Sequence, residues 1–106
     1  MSQLVALLGL GLRGGNVVVG VDGARAALRA RRCHCLVVAR DAGPRTEEKV
    51  VRLALALGVP RVVGPPAAEL GARLGRPPVK AVAVTDAALA QGLLDRERQE
   101  RSRTED

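Results

Sequence analysis

The sequence predicts an α/β fold, a three-layer α/β/α sandwich whose middle layer is a mixed sheet of roughly four strands. Short valine-rich runs alternate with longer segments rich in alanine and leucine, which is the order expected when helices connect the strands of one sheet. Residues 35–39 are apolar at every position. A strand without a polar face is typical of a sheet that helices cover on both sides.

Four runs that are apolar apart from a terminal Arg61 and Thr85 are predicted to be the strands. They are short and rich in valine, which has a high β propensity. The runs are residues 17–19, 35–39, 61–64 and 81–85.

The segments between these runs are predicted to be helices because residues that start and end helices bracket them. Serine, threonine and aspartate satisfy free N–H groups at a helix start, proline suits the first turn, and glycine ends a helix in the left-handed conformation. The expected N-caps are Ser2, Asp22, Thr46 and Asp86, Pro65 and Pro66 start the short helix AAELGARL, and the expected ends are Gly14 or Gly15, about Arg32, Gly58 and Gly75.

The length of 106 residues suits a single compact domain. We expect residues 1–94 to form that domain. Residues 95–106 are a polar tail of mixed charge, expected to be either a solvated helix end or disordered.

The charge of the chain indicates a polyanionic partner. The formal net charge is +6, and residues 1–94 carry 13 Lys and Arg against 6 Asp and Glu. Such a balance favours nucleic acid over a membrane surface, the alternative being a solvated arginine-rich surface without that role. The chain has no aromatic residue, so it lacks the rings on which single-strand binders stack bases.

The sequence gives little support to catalytic, metal or cofactor sites. Cys33 and Cys35 flank the only histidine, His34, but structural zinc needs four ligands. GLGLRG matches the glycine pattern of dinucleotide-binding folds, yet a strand-like run follows it and arginines stand where the ribose-binding acid belongs. A carboxylate pair of Asp41 and Asp86 stays open, although each suits a cap or turn better. We predict a non-enzymatic protein without cofactor or metal.

The sequence predicts neither export nor membrane insertion. The apolar run at residues 4–12 is broken by glycines and lacks the basic front and cleavage site of a signal peptide. No run reaches the roughly 18 apolar residues of a membrane span. We expect a cytoplasmic protein without a membrane partner.

Two glycine-marked segments carry basic charge in a pattern suited to RNA. Gly20 and Gly23 bracket the start of the second helix, where free N–H groups and the helix dipole suit a phosphate. Arg25 and Arg29 follow on one face of that helix. The loop GRPPVK at residues 75–80 places cations on both sides of an apolar tip. Ordinary turn chemistry would also explain both segments.

Several segments together resemble a known family. They are GLxxRGGxVVxG, ALRARRCHCLVVARDAGPRTEEKV, LGVP and ELGARLGRPPVKAVAVTDAALAQGL. In this order they resemble the ribosomal-protein superfamily of L7Ae and L30e, and look closest to its small bacterial YlxQ-type members. The resemblance covers roughly residues 4–94.

This resemblance implies the same sandwich and a function, the binding of kink-turn RNA, which is a sharply bent helix–internal loop–helix element. In that family the exit of the first strand and the start of the next helix meet the sheared G·A pairs. The loop before the last strand contacts an extruded nucleotide through apolar side chains. The matching positions are Gly20, Val21, Asp22, Gly23, Arg76, Pro78, Val79 and Lys80, to which the charge pattern adds Arg25 and Arg29.

The chain departs from the family's pattern at the first of these segments. Strong kink-turn binders carry an Asn-Glu pair after the glycine and a Lys three positions past the Glu, where this chain has Asp22, Gly23 and Ala26. Asp22 can accept a hydrogen bond from a guanine edge. Gly23, however, cannot replace the side chain of the Glu, and Ala26 lacks the positive charge of the Lys. Contacts with phosphates fix the position of a protein on RNA, whereas contacts with bases make the binding specific. The resemblance therefore implies RNA binding as a class more directly than it implies kink-turn specificity.

Two hypotheses of function follow. The first is an RNA-binding module, ribosome- or translation-associated and monomeric, that recognises a kink-turn-like bent RNA. The second is a protein–protein adaptor that has kept the fold and lost the RNA site, motivated by Gly23 and Ala26.

Overall fold

The structure, a computed structural model, describes the backbone of residues 2–105 and the side chains of residues 4–99. Strands and helices alternate along this part of the chain. The strands are β1 (Val17–Val19), β2 (Cys35–Ala39), β3 (Arg61–Gly64) and β4 (Ala81–Val84). The helices are α1 (Ser2–Arg13), α2 (Val21–Arg29), α3 (Pro44–Thr46, π-helical over Glu47–Val51 and α-helical again over Arg52–Ala56), α4 (Ala67–Arg73) and α5 (Ala87–Glu105).

The strands form one mixed sheet in the order β1-β4-β2-β3. β4 runs antiparallel to both of its neighbours, whereas β2 and β3 are parallel. β1 and β3 are therefore the edge strands. The predicted α/β/α fold with a mixed four-stranded sheet is confirmed, and each valine-rich run marks its strand to within one residue.

Helices cover both faces of the sheet. α2 and α3 pack on one face, and α1, α4 and α5 on the other. Successive side chains of β1 point to opposite faces, so Val18 lies against Gly23 of α2 and Val17 lies against Gly11 of α1. The core between the layers is aliphatic, and its largest fully buried side chains include Leu8, Leu28, Leu36, Leu70 and Leu93.

Two of the predicted N-caps are wrong. α2 begins after Gly20 and α3 after Gly43, and neither start receives a hydrogen bond from a capping side chain. Asp22 lies in the first turn of α2, and Thr46 lies inside α3, where its hydroxyl donates to the carbonyl of Ala42 at 3.4 Å. The prediction fails because a glycine that precedes a helix carries no side chain to mark it as a cap.

Other predicted helix boundaries are confirmed. The N–H of Leu89 donates to Oδ2 of Asp86 at 2.8 Å, which is the expected cap of α5. Glycines with positive φ follow three helices, as predicted: Gly15, Gly58 and Gly75.

One helix differs in length from the prediction. α2 ends at Arg29, before the expected Arg32, and the following turn holds Arg31 at φ 60°. α5 continues to Glu105, so over its described backbone the C-terminal stretch is a helix end, one of the two alternatives expected for it. The side chain of Ser2, the predicted cap of α1, lies outside the described residues.

Both cysteines are free and buried. The thiol of Cys33 donates to the carbonyl of Cys35 at 3.2 Å. Burial raises the pKa of both thiols, and that of Cys35 to about 12, so both stay protonated at neutral pH. Among the described residues, no three His, Cys, Asp or Glu side chains group where they could hold a metal ion. No helix in the described part of the chain is both long and apolar enough to cross a bilayer.

Candidate nucleic-acid interface

The two segments singled out from the sequence lie side by side at one end of the sheet. β1 and β4 are antiparallel, with Val19 opposite Val82, so the chain leaves β1 next to the point where it enters β4. The N–H of Gly20 donates to the carbonyl oxygen of Ala81 at 2.8 Å. This bond fixes the exit of β1 beside the end of the loop at residues 75–80.

β2 ends at the same place. β4 lies between β1 and β2, and the N–H of Ala39 donates to the carbonyl oxygen of Lys80 at 2.8 Å. The turn that follows β2 therefore joins the other two segments. We call these three segments, residues 20–23, 40–43 and 75–80, the Gly20 end of the sheet.

Two helices begin at the Gly20 end without a side-chain cap. Gly20 has φ 104° and ψ 157°, and Gly43 has φ 87° and ψ 175°, a region that glycine alone adopts readily. The first N–H groups of α2 and α3 carry the positive end of each helix dipole, which suits phosphate oxygens. α4 differs, because Oδ1 of Asp41 accepts a hydrogen bond from the N–H of Ala67 at 2.8 Å.

Lys49 links the starts of α2 and α3. Its Nζ lies 3.4 Å from Oδ1 of Asp22, and its carbonyl accepts a hydrogen bond from Nη1 of Arg25 at 3.0 Å. Lys49 belongs to the π-helical part of α3, and π-helical turns are frequent at functional sites. α3 thus supplies a cation beside Asp22, where α2 itself has Ala26.

Gly23 is a packing position. A Cβ at this residue would lie 2.5 Å from Cγ1 of Val18, closer than real contacts allow. Val18 is short and β-branched, so it has little freedom to turn away. The position can therefore offer an RNA ligand only its backbone, whereas the resemblance implies a base-reading side chain there.

The loop at residues 75–80 is held tightly against α4. A Cβ on Gly71 would overlap the carbonyl oxygen of Pro77, so this helix and loop approach each other only because residue 71 is glycine. The N–H of Val79 donates to the carbonyl of Ala67 at 3.0 Å. The loop is therefore a rigid part of the surface with a fixed position relative to β4.

Val79 does not lie at the apolar tip of this loop. Its side chain is 5% exposed and belongs to the core. Pro77 and Pro78 are exposed instead, between exposed Arg76 and Lys80. The side chain of Val79 is too buried for the expected direct contact with RNA. It supports the loop from the core side instead.

The two arginines of α2 lie in different environments. Arg25 is half-buried, and its guanidinium is engaged with the carbonyl of Lys49. Arg29 is exposed in the last turn of α2, about 10 Å along the helix axis from Asp22 at 1.5 Å per residue. Arg29 therefore extends the basic surface away from the Gly20 end, and Arg25 joins two helices.

Sequence reasoning did not single out two residues as members of the candidate site: Arg40, at the Gly20 end, and Lys49, which lies beside it. Lys49 stands three positions past Thr46 in a predicted helix, and Arg40 directly follows β2. Both signals were present in the sequence. The tertiary structure is needed to see that Lys49 meets Asp22 and that Arg40 follows the residue bonded to Lys80.

By its fold the protein is a small α/β/α domain built on a mixed sheet. The model of the ribosomal protein L7Ae/L30e/S12e/Gadd45 family matches residues 3–93, and the chain belongs to this family. The resemblance seen in the sequence is confirmed. Members of the family are typically non-enzymatic, and membership indicates an RNA-binding protein of ribosomal type.

One solved structure similar to the chain is described as a protein with unknown function from Bacillus halodurans C. It is 22% identical with a TM-score of 0.81, and the match covers 90% of this chain and 96% of that chain. At this identity the likeness shows the fold. No curated protein matches the chain.

Proposed function

We propose that the protein binds a sharply bent RNA of the kink-turn type through the Gly20 end of its sheet. It acts as a non-enzymatic monomer on the ribosome or elsewhere in translation, in the cytoplasm. One observation supports this proposal most. The end of β1 lies beside the loop at residues 75–80, and the hydrogen bond from the N–H of Gly20 to the carbonyl of Ala81 joins the two. Family membership supports RNA as the class of ligand.

The α2 side of the interface grips phosphates and reads one base edge. The uncapped N–H groups at the starts of α2 and α3 donate to phosphate oxygens. The side chain of Asp22 is 91% exposed and pairs with Lys49 through Oδ1, so Oδ2 is free to accept a hydrogen bond from a guanine. Lys49 contributes charge to the adjoining backbone.

The loop side of the interface covers the unstacked face of the bend. Exposed Pro77 and Pro78 offer an apolar surface to an extruded base, and Arg76 and Lys80 flank it with charge. Because Gly71 lets α4 hold the loop in place, this surface is already formed before RNA arrives.

The test compares a kink-turn RNA with a straight duplex of equal length and charge, at about 150 mM salt because electrostatic affinity depends steeply on salt. We expect the bent RNA to bind at least tenfold more tightly, about 1.4 kcal/mol. Equal, weak and strongly salt-dependent binding to both RNAs would contradict recognition of the bend.

A protein–protein adaptor is the second candidate function. The observation that favours it is the packing of Gly23 beneath Val18, which leaves no side chain for base readout at that position. A pull-down with and without nuclease separates the two functions. Partners that survive nuclease treatment favour the adaptor.

A further inference from the structure

A groove lies along the edge strand β3, on the side of the sheet covered by α3. β3 has a strand neighbour on one side only. Its side chains alternate, so Val62 and Gly64 are buried, whereas Arg61 and Val63 are exposed. Val63 is 53% exposed although it faces α3, so α3 does not cover this part of the sheet.

Two adjoining cavities form the groove. The larger, of about 520 Å³, is lined by Val51, Leu55, Val59 and Pro60 among others. The smaller, of about 150 Å³, continues over Val63. Val51 and Arg61 line both, so the two cavities are one depression, which we call the α3–β3 groove.

The floor of the α3–β3 groove is aliphatic and accessible. Leu55 is 81% exposed, the most exposed of the large apolar side chains in the described part of the chain. Val51, Val59 and Pro60 extend the same surface. Apolar side chains that lie together beside a cavity mark an interaction site more often than single exposed ones do.

The rim of the α3–β3 groove is basic. Arg40, Arg52 and Arg61 are exposed around it, against one acid, Glu47. Within the described residues, the structure records no ion pair for any of these three arginines. Their charge is therefore available to an acidic partner.

These observations select the occupant. An extended peptide can lie along the groove, with alternate side chains directed down onto the apolar floor and up toward the arginines of the rim. Residues 95–106 of this chain carry no apolar side chain and do not match the floor. We propose that the α3–β3 groove binds an extended acidic segment of another protein in which aliphatic residues alternate with Asp and Glu. This proposal does not depend on the RNA-binding function.

The test uses the full chain and a synthetic peptide in which Leu and Val alternate with Asp and Glu. The control peptide has Lys in place of each acid. We expect the acidic peptide to bind at least tenfold more tightly by fluorescence anisotropy, and to shift the amide NMR signals of residues 51–59 and 61–63. Equal binding of the two peptides, or shifts confined to residues 20–23 and 75–80, would overturn the proposal.

Two surface variants sharpen the test. The double variant R52E/R61E and the variant Leu55→Ser change exposed side chains, so both should fold, which circular dichroism checks. Each variant is expected to bind the acidic peptide at least tenfold more weakly than the unaltered chain does. Its affinity for RNA should stay within twofold of that of the unaltered chain. The matched controls are Arg13→Glu and Leu10→Ser on α1, on the opposite face of the sheet. Equal losses in the controls, or perturbation of residues 51–59 and 61–63 by RNA in the absence of the peptide, would also overturn it.

Discussion

The two ends of the sheet differ in how their helices begin. At the Asp86 end, defined by residues 14–16, 33–35 and 85–86, Asp86 caps α5, and the N–H of Thr85 donates to the carbonyl of Asn16. At the Gly20 end, α2 and α3 follow glycines and have no capping side chain. A side chain thus satisfies one donor at the start of α5, as Asp41 does for α4 beside the Gly20 end. The Gly20 end leaves donors for a ligand, which is the feature expected of a phosphate-binding surface.

The largest effect is expected where the loop of the Gly20 end meets α4. Gly71→Ala would force a Cβ into the carbonyl of Pro77, so we expect a loss of about 3 kcal/mol in unfolding free energy and a displaced loop. Chemical denaturation measures it. The control is Gly92→Ala on α5, where a Cβ meets nothing within 4 Å. Because alanine has the higher helix propensity, this variant should gain as much as about 1 kcal/mol in unfolding free energy. Equal effects in the two variants would contradict the tight packing of the loop.

The next-largest effect is expected from a comparison of the start of α2 with the start of α5. Gly20→Ala places a Cβ at φ 104° and should cost about 2 kcal/mol together with most of the RNA affinity. Asp86→Ala removes a cap and should cost about 1 kcal/mol without changing RNA affinity. The comparison breaks down if Asp86→Ala weakens RNA binding as much as Gly20→Ala.

Lys49→Ala tests the cation that α3 supplies beside Asp22. The exposed pair contributes less than about 1 kcal/mol to stability, so the fold should persist. RNA affinity should fall about tenfold, and the slope of log K against log salt should shrink by about 0.9 for one lost phosphate contact. Arg13→Ala, an exposed cation away from the Gly20 end, should leave both unchanged. An unchanged slope for Lys49→Ala would remove Lys49 from the interface.

The smallest effect belongs to the Asp86 end and depends on pH. Burial raises the pKa of Cys35 from 9.0 to about 12. Between these two pH values the folded state keeps the thiol proton, whereas the unfolded state releases it. Stability is therefore complete below about pH 9 and falls as pH rises toward 12, by about 1 kcal/mol at pH 10. Denaturation at several pH values should show this fall, and Cys35→Ala should reduce it, leaving the part due to Cys33, whose pKa burial also raises. A slope unaffected by Cys35→Ala would contradict the assignment.

The strands were predictable because runs of valine leave little choice of local structure. The glycine starts of α2 and α3 were not, since a sequence does not show which glycine adopts φ near 100°. The segments of the candidate site followed from the resemblance, but their meeting at one end depends on the strand order. Lys49 beside Asp22 and the burial of Val79 are tertiary facts, and local patterning predicts neither.

The central claim is that RNA binds at the Gly20 end, and mapping by NMR tests it most directly. The isotope-labelled full chain would be titrated with a kink-turn RNA at about 150 mM salt, a concentration at which purely electrostatic binding is already weakened. The account predicts that the largest amide shifts fall on residues 20–23, 49, 76, 79 and 80. Shifts confined to the Asp86 end, or to the α3–β3 groove, would contradict it.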